Sequence, residues 1–395
     1  MANLLVVSGY WPSRTNPISG VFIVEQIRAF TELGHNIWVV VGQAIGRRKD
    51  LLSVEELGLD TDAVTLLSPR FLRAPERMSH HPFFYGQNVK NTGTYILKSI
   101  QKIQGIGAPL DGALVHGLRY AISSAPIWKS VLNAPAVGLI HGVDPLLNNK
   151  QLPAPIVELL RSGLSHFDAV GMVGTFLKNF FDTIGLDYGQ FKLVLNGTEV
   201  PAKPSLHTGE VGGSPSPKRI LSVSRLCAWK GVDDTLQALG LLKHDVGKSD
   251  WQLRIVGQGE EQEALEKLAK RLGIIEHVHF TGRLDRKSTL AEFEQCDLFC
   301  LPSWAEPFGI VYLEAMARAR PIIGCNNCGP VDFVTSGSDG ILVSPKDPAA
   351  LADAIRMIWD SPERLAEIGA EGRKTAEALT WQRNVRQICT LLGIS

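Results

Sequence analysis

The chain has 395 residues, 45% of them hydrophobic, and its 40 lysines and arginines balance its 40 aspartates and glutamates. Hydrophobic cores stop growing well below this length, so we expect two domains of similar size. The balanced charge gives no electrostatic reason to expect nucleic acid as a partner. No apolar run approaches the roughly 20 residues that a membrane-spanning helix needs.

The first residues predict a buried strand rather than a secretory signal. Residues 1–7 lack a basic start and a long apolar region, and the apolar run at 4–8 has the length of a strand. The six cysteines all lie in the C-terminal half, without the even framework of a secreted domain. Of these, Cys325 and Cys328 form a lone C-x-x-C and are expected to be unpaired thiols. We therefore expect a cytoplasmic protein.

A βαβ unit is predicted next. Residues 21–33 place apolar side chains on one helical stripe, and residues 37–41 form an apolar run typical of a strand. In such a unit the loop after the first strand brings backbone N–H groups toward a ligand phosphate. Gly20, at the end of that loop, is therefore a candidate phosphate contact.

Basic and aromatic residues are interleaved between residues 70 and 102. The basic residues are Arg70, Arg73, Arg77, Lys90, Lys98 and Lys102, against Glu76 alone, and the aromatic ones include Phe71, Phe83, Phe84 and Tyr85. Such a stretch fits an anionic membrane surface or a lipid-linked acceptor. It fits equally an ordinary surface with a few packed aromatic rings.

Two later strands, predicted at 113–117 and 137–142, carry histidines near their carboxyl ends. Ligands of parallel α/β sheets bind beyond these ends, which makes His116 and His141 candidate substrate contacts. A histidine at the end of a strand is also a common structural loop residue. A strand at 169–173 and a helix at 176–184 are predicted to follow.

Residues 201–217 are rich in Pro, Gly and Ser, which indicates a domain boundary. A predicted strand at 219–223 then leads into a turn that holds Arg225 and Lys230. A planar guanidinium and an ammonium point charge together can neutralise a diphosphate without a metal ion.

A strand–loop–helix unit surrounds Glu306 and Glu314. An apolar run at 297–303 predicts the strand, and Pro321 ends the helical pattern that follows the loop. Phe308, Gly309 and Ile310 fall at the predicted helix N-terminus, which suits a phosphate. The two carboxylates then indicate a ligand with hydroxyl groups near Glu306 and a ribose diol at Glu314.

These segments together resemble glycosyltransferase family 4, a group of retaining GT-B glycosyltransferases, over nearly the whole chain. Glu306 and Glu314 match the E-x7-E signature, and residues 225–231 match R-L-x-x-x-K-G with intact spacing. Residues 10–12, 20–22 and 33–35 resemble the opening of these enzymes. The family's D-x-x-H-x-H segment is matched by Asp111 and His116. Departures from the family pattern are Ser19, Leu114, Gly174, Glu199 and Asp332.

The resemblance implies an α/β GT-B fold, with two Rossmann-like domains facing across a cleft. Residues 1–198 would form the acceptor-binding domain, residues 199–217 a linker and residues 218–379 the domain that binds the nucleotide-sugar. The helix in residues 380–395 would pack back on the first domain.

The implied activity is retaining transfer of a hexosyl group from a UDP- or GDP-sugar to a glycan or lipid-linked acceptor, in cell-envelope or exopolysaccharide synthesis. The implied catalytic residues are Glu306, Arg225, Lys230 and His116. Donor-binding residues would be Gly20, Arg225, Lys230, Gly257, Arg283, Phe308, Gly309, Ile310 and Glu314, and acceptor-binding residues His116 and His141. The stretch 70–102 would attach the enzyme peripherally to the inner face of the plasma membrane.

No cofactor and no metal ion are expected, because Arg225 and Lys230 supply the positive charge. Asp60-Thr61-Asp62 matches the D-x-D metal site of the other large glycosyltransferase fold, but no apolar strand flanks it and we interpret it as a coincidence. Two alternatives stay open. One is another GT-B enzyme, similar to a phosphorylase or an epimerase, and the other is a non-catalytic subunit that binds a sugar nucleotide.

Overall fold

The computed structural model describes residues 1–46, 49–75, 78, 81–142, 152–183, 185, 191–203, 210–211, 214–215, 218–246 and 250–394. The chain divides into two compact α/β units. Unit 1 contains Met1–Asn196 together with Trp381–Ser395, and unit 2 contains Gly197–Thr380.

Unit 1 is built on a parallel seven-stranded sheet with the order β4-β2-β1-β6-β7-β8-β9. Its strands are β1 (Asn3–Ser8), β2 (Asn36–Val41), β4 (Val64–Leu67), β6 (Gly112–His116), β7 (Ala136–Ile140), β8 (Ala169–Met172) and β9 (Phe191–Leu193). Two short strands, β3 (Gln43–Ala44) and β5 (Arg70–Phe71), pair with each other. The central strands are apolar along their length and almost fully buried, as expected for a parallel sheet covered on both faces.

The unit 1 helices are α1 (Val21–Glu32), α2 (Pro82–Gly105), α3 (Ala125–Leu132), α4 (Ala154–Leu164), α5 (Phe176–Thr183) and α12 (Trp381–Leu392). Helix α12 packs on α1 through a buried stripe spaced at three and four residues, which includes Val385, Ile388 and Leu392. Burying each such aliphatic side chain contributes about 1.5–3 kcal/mol. A buried hydrogen bond of 2.6 Å from Gln26 Nε2 to Asn384 Oδ1 aligns the two helices.

Unit 2 repeats this architecture with a parallel six-stranded sheet in the order β14-β13-β12-β15-β16-β17. Its strands are β12 (Lys218–Val223), β13 (Trp251–Val256), β14 (Val278–Gly282), β15 (Leu298–Cys300), β16 (Ile322–Cys325) and β17 (Ile341–Val343), and a separate hairpin pairs β10 (Glu210–Val211) with β11 (Ser214–Pro215). The helices are α6 (Val232–Val246), α7 (Gln262–Arg271), α8 (Arg286–Gln295), α9 (Ile310–Met316), α10 (Pro348–Trp359) and α11 (Pro362–Ala378).

Each sheet has one point where the strand order reverses direction. In unit 1 the chain runs outward from β1 through β2 to β4, and then from β6 through β9 on the other side. In unit 2 the corresponding reversal lies between β12 and β15. Loops that leave the carboxyl ends of the two strands at such a point diverge, and the crevice between them is the usual ligand site of this kind of sheet.

Three elements differ from the sequence prediction. Strand β4 and the 24-residue helix α2 were not predicted. Helix α9 ends at Met316 rather than continuing to Pro321, because the chain turns there and Ala319 takes a left-handed φ of 55°. Helix α12 lies within residues 380–395, where the last helix was expected.

Candidate functional site

In unit 2 two loops meet at the reversal point of the sheet. One loop, residues 224–231, follows β12, and the other, residues 301–309, follows β15. They are joined through the carbonyl oxygen of Trp229, which accepts hydrogen bonds from Ser303 Oγ at 2.9 Å and from Trp304 N at 3.0 Å. These two loops carry Arg225, Lys230 and Glu306, so the topology brings the predicted catalytic residues of this unit to one edge.

Lys230 and Glu306 form an ion pair between the two loops. Their side chains are only 17% and 12% exposed, so the pair is poorly screened by water. Lys230 ends a short helical turn at Ala228–Lys230, and Gly231 ends that turn with a φ of 66°. A Cβ on Gly231 would lie 2.2 Å from the carbonyl oxygen of Pro302, so only glycine lets the loops approach this closely.

The loop that carries Glu306 is held in place by contacts with residues 329–333. Gly329 N donates a 2.7 Å hydrogen bond to the carbonyl oxygen of Glu306, and the buried Phe308 ring packs against Phe333 at 5.0 Å. Gly309 precedes α9 with a φ of 90°, and a Cβ there would lie 2.4 Å from the Tyr312 ring. The carboxylate of Glu306 is therefore presented by a loop with little freedom to move.

Glu314 lies on the buried side of α9, with a side chain 5% exposed. Its Oε1 accepts a hydrogen bond from Nη1 of Arg286, the first residue of α8. Arg318 lies close by. Burial lowers the pKa of Arg318, and the negative charges of Glu314 and Glu294 oppose that change. One oxygen of Glu314 is thus engaged by a cation that sequence reasoning did not identify.

The remaining predicted donor-binding residues of unit 2 lie at the carboxyl ends of its strands. Arg225 is 65% exposed and pairs with Glu260 at 3.0 Å. Gly257 follows β13 with a φ of 138°, and a Cβ there would lie 1.8 Å from the carbonyl oxygen of Ser224. Gly257 N donates to Gly282 O at 2.9 Å, which brings Arg283, the next residue, to the same edge.

In unit 1 the two candidate histidines contact each other directly. His116 ends β6 and His141 follows β7, which pairs with β6 in parallel. His116 Nδ1 lies 2.8 Å from His141 Nε2, and the ring planes are 18° apart. Burial lowers the pKa of His116 to about 3. Burial, and then the neighbouring His116, lower the pKa of His141 well below its usual range.

The loop that ends at Gly20 leads to the same pair of histidines. Gly20 is the residue before α1 and has a φ of 76°, and a Cβ there would lie 2.8 Å from the backbone of Tyr10. Two residues later, the Phe22 ring packs on His141 with ring centroids 4.4 Å apart. Phe22 is a member of this cluster that sequence reasoning missed.

The basic and aromatic stretch 70–102 is only partly exposed. Phe83 is 67% exposed, and Lys90, Lys98 and Lys102 lie at exposed positions of α2. Tyr85, one of the aromatic residues of this stretch, is not available to a membrane surface, because its ring is buried and its hydroxyl lies 3.2 Å from Ser123 Oγ. Arg73 is half-buried with its guanidinium over the Tyr120 ring at 5.5 Å, so it faces the protein. Glu76 and Arg77 lie outside the described residues.

Three further features concern metals, thiols and membranes. In the described part of the chain there is no group of three or more His, Cys, Asp or Glu side chains that could hold a metal ion. Asp60 Oδ1 accepts a 2.9 Å hydrogen bond from Asp62 N, which makes the D-x-D sequence a local turn. All six cysteines are buried and unpaired, and burial raises the pKa of Cys325 to about 12 and that of Cys328 to about 11.

No described helix combines the length and the apolar character that crossing a bilayer requires.

The fold of the chain is that of the GT-B glycosyltransferases. A sucrose-phosphate synthase from Thermosynechococcus elongatus superposes with a TM-score of 0.76, covering 99% of this chain and 98% of that one at 18% identity. At this identity the likeness concerns the fold, and it confirms the predicted fold class. Residues 210–375 match the family model described as "Glycosyl transferases group 1".

Curated relatives match part of the chain. A glycogen synthase of Mycobacterium tuberculosis is 36% identical over 146 residues, which is 37% of this chain and 35% of that protein. A GDP-mannose-dependent alpha-(1-6)-phosphatidylinositol monomannoside mannosyltransferase of Mycolicibacterium smegmatis is 32% identical over 182 residues, 44% of this chain and 47% of the relative. The matches thus span between about a third and a half of the length of these relatives.

Proposed function

We propose that the chain is a retaining, metal-independent hexosyltransferase that moves a sugar from a UDP- or GDP-sugar to a glycan or lipid-linked acceptor, in cell-envelope or exopolysaccharide synthesis. The observation that carries this proposal is the poorly screened pair of Lys230 and Glu306 at the reversal point of the unit 2 sheet. This is the place where an α/β sheet binds its ligand, within the region that matches glycosyl transferases group 1.

Lys230 and Arg225 would stabilise the negative charge of the departing diphosphate. When the bond between the anomeric carbon and the donor phosphate oxygen breaks, negative charge grows on the diphosphate, and a nearby fixed cation stabilises it. An ammonium has three N–H donors, so Lys230 can bind a phosphate oxygen while it keeps its bond to Glu306. Arg225, which is exposed, adds a planar fork for a second phosphate oxygen.

The same scheme accounts for retention of configuration. The acceptor oxygen bonds to the anomeric carbon on the face that the diphosphate leaves, and a donor phosphate oxygen takes the proton of the acceptor hydroxyl. No carboxylate nucleophile is needed, so Glu306 is free to bind sugar hydroxyl groups beside Lys230. Helix α9 has only 7 residues and its dipole is small, so the side-chain cations carry most of the charge neutralisation.

We assign the nucleoside part of the donor to Glu314 and to the carboxyl ends of the neighbouring strands. Glu314 Oε1 is held by a hydrogen bond from Arg286, which would leave the other carboxylate oxygen to bind a ribose diol. The backbone around Gly257 and Arg283 would meet the nucleotide base. The mannosyltransferase among the relatives is named for GDP-mannose, and this makes guanine a base to test alongside uracil.

A donor panel tests the proposal. Thermal unfolding is measured in the presence of UDP-glucose, UDP-galactose, GDP-mannose or ADP-glucose. Separate samples contain the corresponding free nucleoside diphosphate, UDP, GDP or ADP, for comparison. We expect one nucleotide class to raise the unfolding midpoint, since a ligand at 100 times its Kd stabilises the fold by about 2.7 kcal/mol. A Lys230→Met variant should lose most of that shift, because the diphosphate loses its buried cation. No shift with any of the four donors would argue against the proposed function.

Hydrolysis separates the enzyme from its two alternatives. A transferase hydrolyses its own donor slowly when no acceptor is present, whereas a non-catalytic subunit binds the donor and leaves it intact. A phosphorylase-like enzyme instead transfers the sugar to inorganic phosphate, and an epimerase-like enzyme interconverts the donor sugars. Chromatography of the sugar products after incubation with the bound donor, with and without phosphate, distinguishes all four outcomes.

A further inference from the structure

The contact between His116 and His141 determines the protonation state of both rings. Two ring nitrogens 2.8 Å apart need one N–H between them, so one ring donates and the other accepts. Burial holds the pKa of each histidine far below neutral pH, so both rings are neutral and carry one proton each. One of these two protons lies in the shared hydrogen bond. The other must lie on an outer nitrogen, either His116 Nε2 or His141 Nδ1.

Only two arrangements satisfy this condition. In the first, His116 Nδ1–H donates to His141 Nε2, and the second proton is on His141 Nδ1. In the second, His141 Nε2–H donates to His116 Nδ1, and the second proton is on His116 Nε2. The first arrangement puts both rings in the Nδ1–H form and the second puts both in the Nε2–H form. Because Nε2–H is the more stable tautomer of a neutral histidine in water, the second arrangement is favoured.

The outer nitrogens, His116 Nε2 and His141 Nδ1, are both buried, and neither has a hydrogen-bond partner among the residues that the structure describes. A buried donor without a partner is costly and is rarely kept unless a ligand completes it. The Phe22 ring covers His141 at 4.4 Å and approaches His116 edge-on at 6.5 Å. The pair is therefore a buried, preformed polar site with one donor and one acceptor.

We propose that His141 is a positioning residue, whose Nε2–H fixes His116 as an Nε2–H donor toward a sugar hydroxyl oxygen of the substrate. The assignment rests on the proposed function for the identity of the ligand, but the tautomers of the pair do not depend on it. The tautomer of His116 also determines the role of this residue. A neutral ring with its Nε2 protonated donates a hydrogen bond and does not take the proton of the acceptor, so His116 orients the substrate and is not the general base.

Nitrogen-15 spectra of the histidine side chains test the tautomers in the protein without substrate. The wild-type spectrum should show His116 and His141 as neutral rings protonated at Nε2 at pH 7, with the signals assigned by the variants His116→Gln and His141→Gln. Signals for Nδ1–H rings at either position, or for a charged imidazolium, would overturn the proposal directly. This measurement needs no turnover and no knowledge of the acceptor.

Variants at position 141 then test its role through His116. Gln places an amide N–H near the position of Nε2, whereas Phe fills the space of the ring without a donor. We expect His141→Gln to keep the Nε2–H signal of His116 and most of the turnover of the donor identified above. His141→Phe should allow the Nδ1–H form of His116 and lower turnover about tenfold, which corresponds to about 1.4 kcal/mol. Equal turnover of the two variants would contradict a positioning role.

His35→Gln is the matched control. His35 is a buried histidine of the same unit whose Nδ1 also has no described partner, and its Nε2 lies 3.7 Å from Cys389 Sγ. It should lower the thermal midpoint without changing the His116 tautomer or turnover. If wild type turns over none of the donors, the proposed function fails, whereas the tautomer assignment still depends only on the spectra.

Discussion

At the residue scale, the strongest prediction concerns the ion pair of Lys230 and Glu306. Removing one partner leaves the other charge poorly solvated, because both side chains are largely buried. We expect Lys230→Met or Glu306→Gln alone to lower the free energy of unfolding by about 1–3 kcal/mol. The double variant should lose less than the sum of the two. Urea unfolding of all four proteins measures the coupling, and strictly additive losses would show that the pair contributes nothing.

A second residue-scale prediction concerns pH. The pKa of His116 is about 3 in the folded protein and near 6.5 when unfolded, so the unfolded state binds more protons between these values. The stability contributed by the neutral ring is therefore complete above pH 6.5 and is lost as the pH falls toward 3. His116→Gln should show a smaller fall of the thermal midpoint over that range than wild type. Parallel curves for the two proteins would contradict the folded-state pKa.

Whether these residues could be predicted depends on how far apart in the sequence the interacting residues lie. Lys230 and Glu306 were selected because each lies in a local pattern of a few residues after a strand, and the order of the strands brings the two together. Arg286 was missed as the partner of Glu314, because the two lie 28 residues apart on different helices. Phe22 was missed because an apolar residue on a helical stripe is usually read as core.

At the scale of the element, the approach to α9 gives a clear test. Gly309 has a φ of 90°, where an alanine is strained by about 1–3 kcal/mol, and its Cβ would also collide with the Tyr312 ring at 2.4 Å. Gly309→Ala should therefore destabilise unit 2 and weaken donor binding. Gly337→Ala is the matched control, because Gly337 has a φ of 82° but no heavy atom within 4 Å of its Cβ. Equal thermal midpoints for the two variants would show that the collision is relieved at no cost.

The elements were predictable where the hydrophobic period is strong. The apolar strands β1, β6 and β12 and the amphipathic helix α1 follow from periodicity and turn residues alone. Helix α2 was missed because Asn88, Thr92 and Gly93 are among its buried residues, and polar or small residues on the buried face interrupt the apolar period. Helix α9 was predicted too long because Pro321 marks only the last residue at which a helix can end, and α9 stops before it.

At the scale of the whole molecule, the proposed charge neutralisation by Lys230 and Arg225 predicts an enzyme that does not require a divalent ion. Two side-chain cations supply the positive charge that a metal ion would bring to the diphosphate. Turnover of the donor should be unchanged, within about twofold, by excess EDTA after dialysis against chelator. Loss of activity in EDTA with recovery in Mn²⁺ would sink the prediction and bring Asp60 and Asp62 back as candidates.

A second prediction at this scale concerns a membrane surface. We propose that unit 1 attaches reversibly to anionic bilayers through the exposed face of α2 and the residues just before it. Lys90, Lys98 and Lys102 lie at exposed positions spaced over about three turns of the helix, and Phe83 and Leu72 are each 67% exposed nearby. Each lysine close to an anionic leaflet contributes about 1 kcal/mol, and the exposed aromatic ring adds apolar contact.

Co-sedimentation with vesicles decides whether this face binds a membrane. Wild type should pellet with phosphatidylglycerol-containing vesicles at low salt and stay in the supernatant at high salt, because the attraction is screened within a Debye length of about 10 Å at 0.1 M. The triple variant Lys90→Glu, Lys98→Glu and Lys102→Glu should not pellet. Reversing Lys267, Lys270 and Lys374 changes the net charge equally on unit 2, so that protein should pellet like wild type. If all three proteins stay in solution at low salt, α2 is an ordinary protein surface, and a water-soluble acceptor becomes the better candidate.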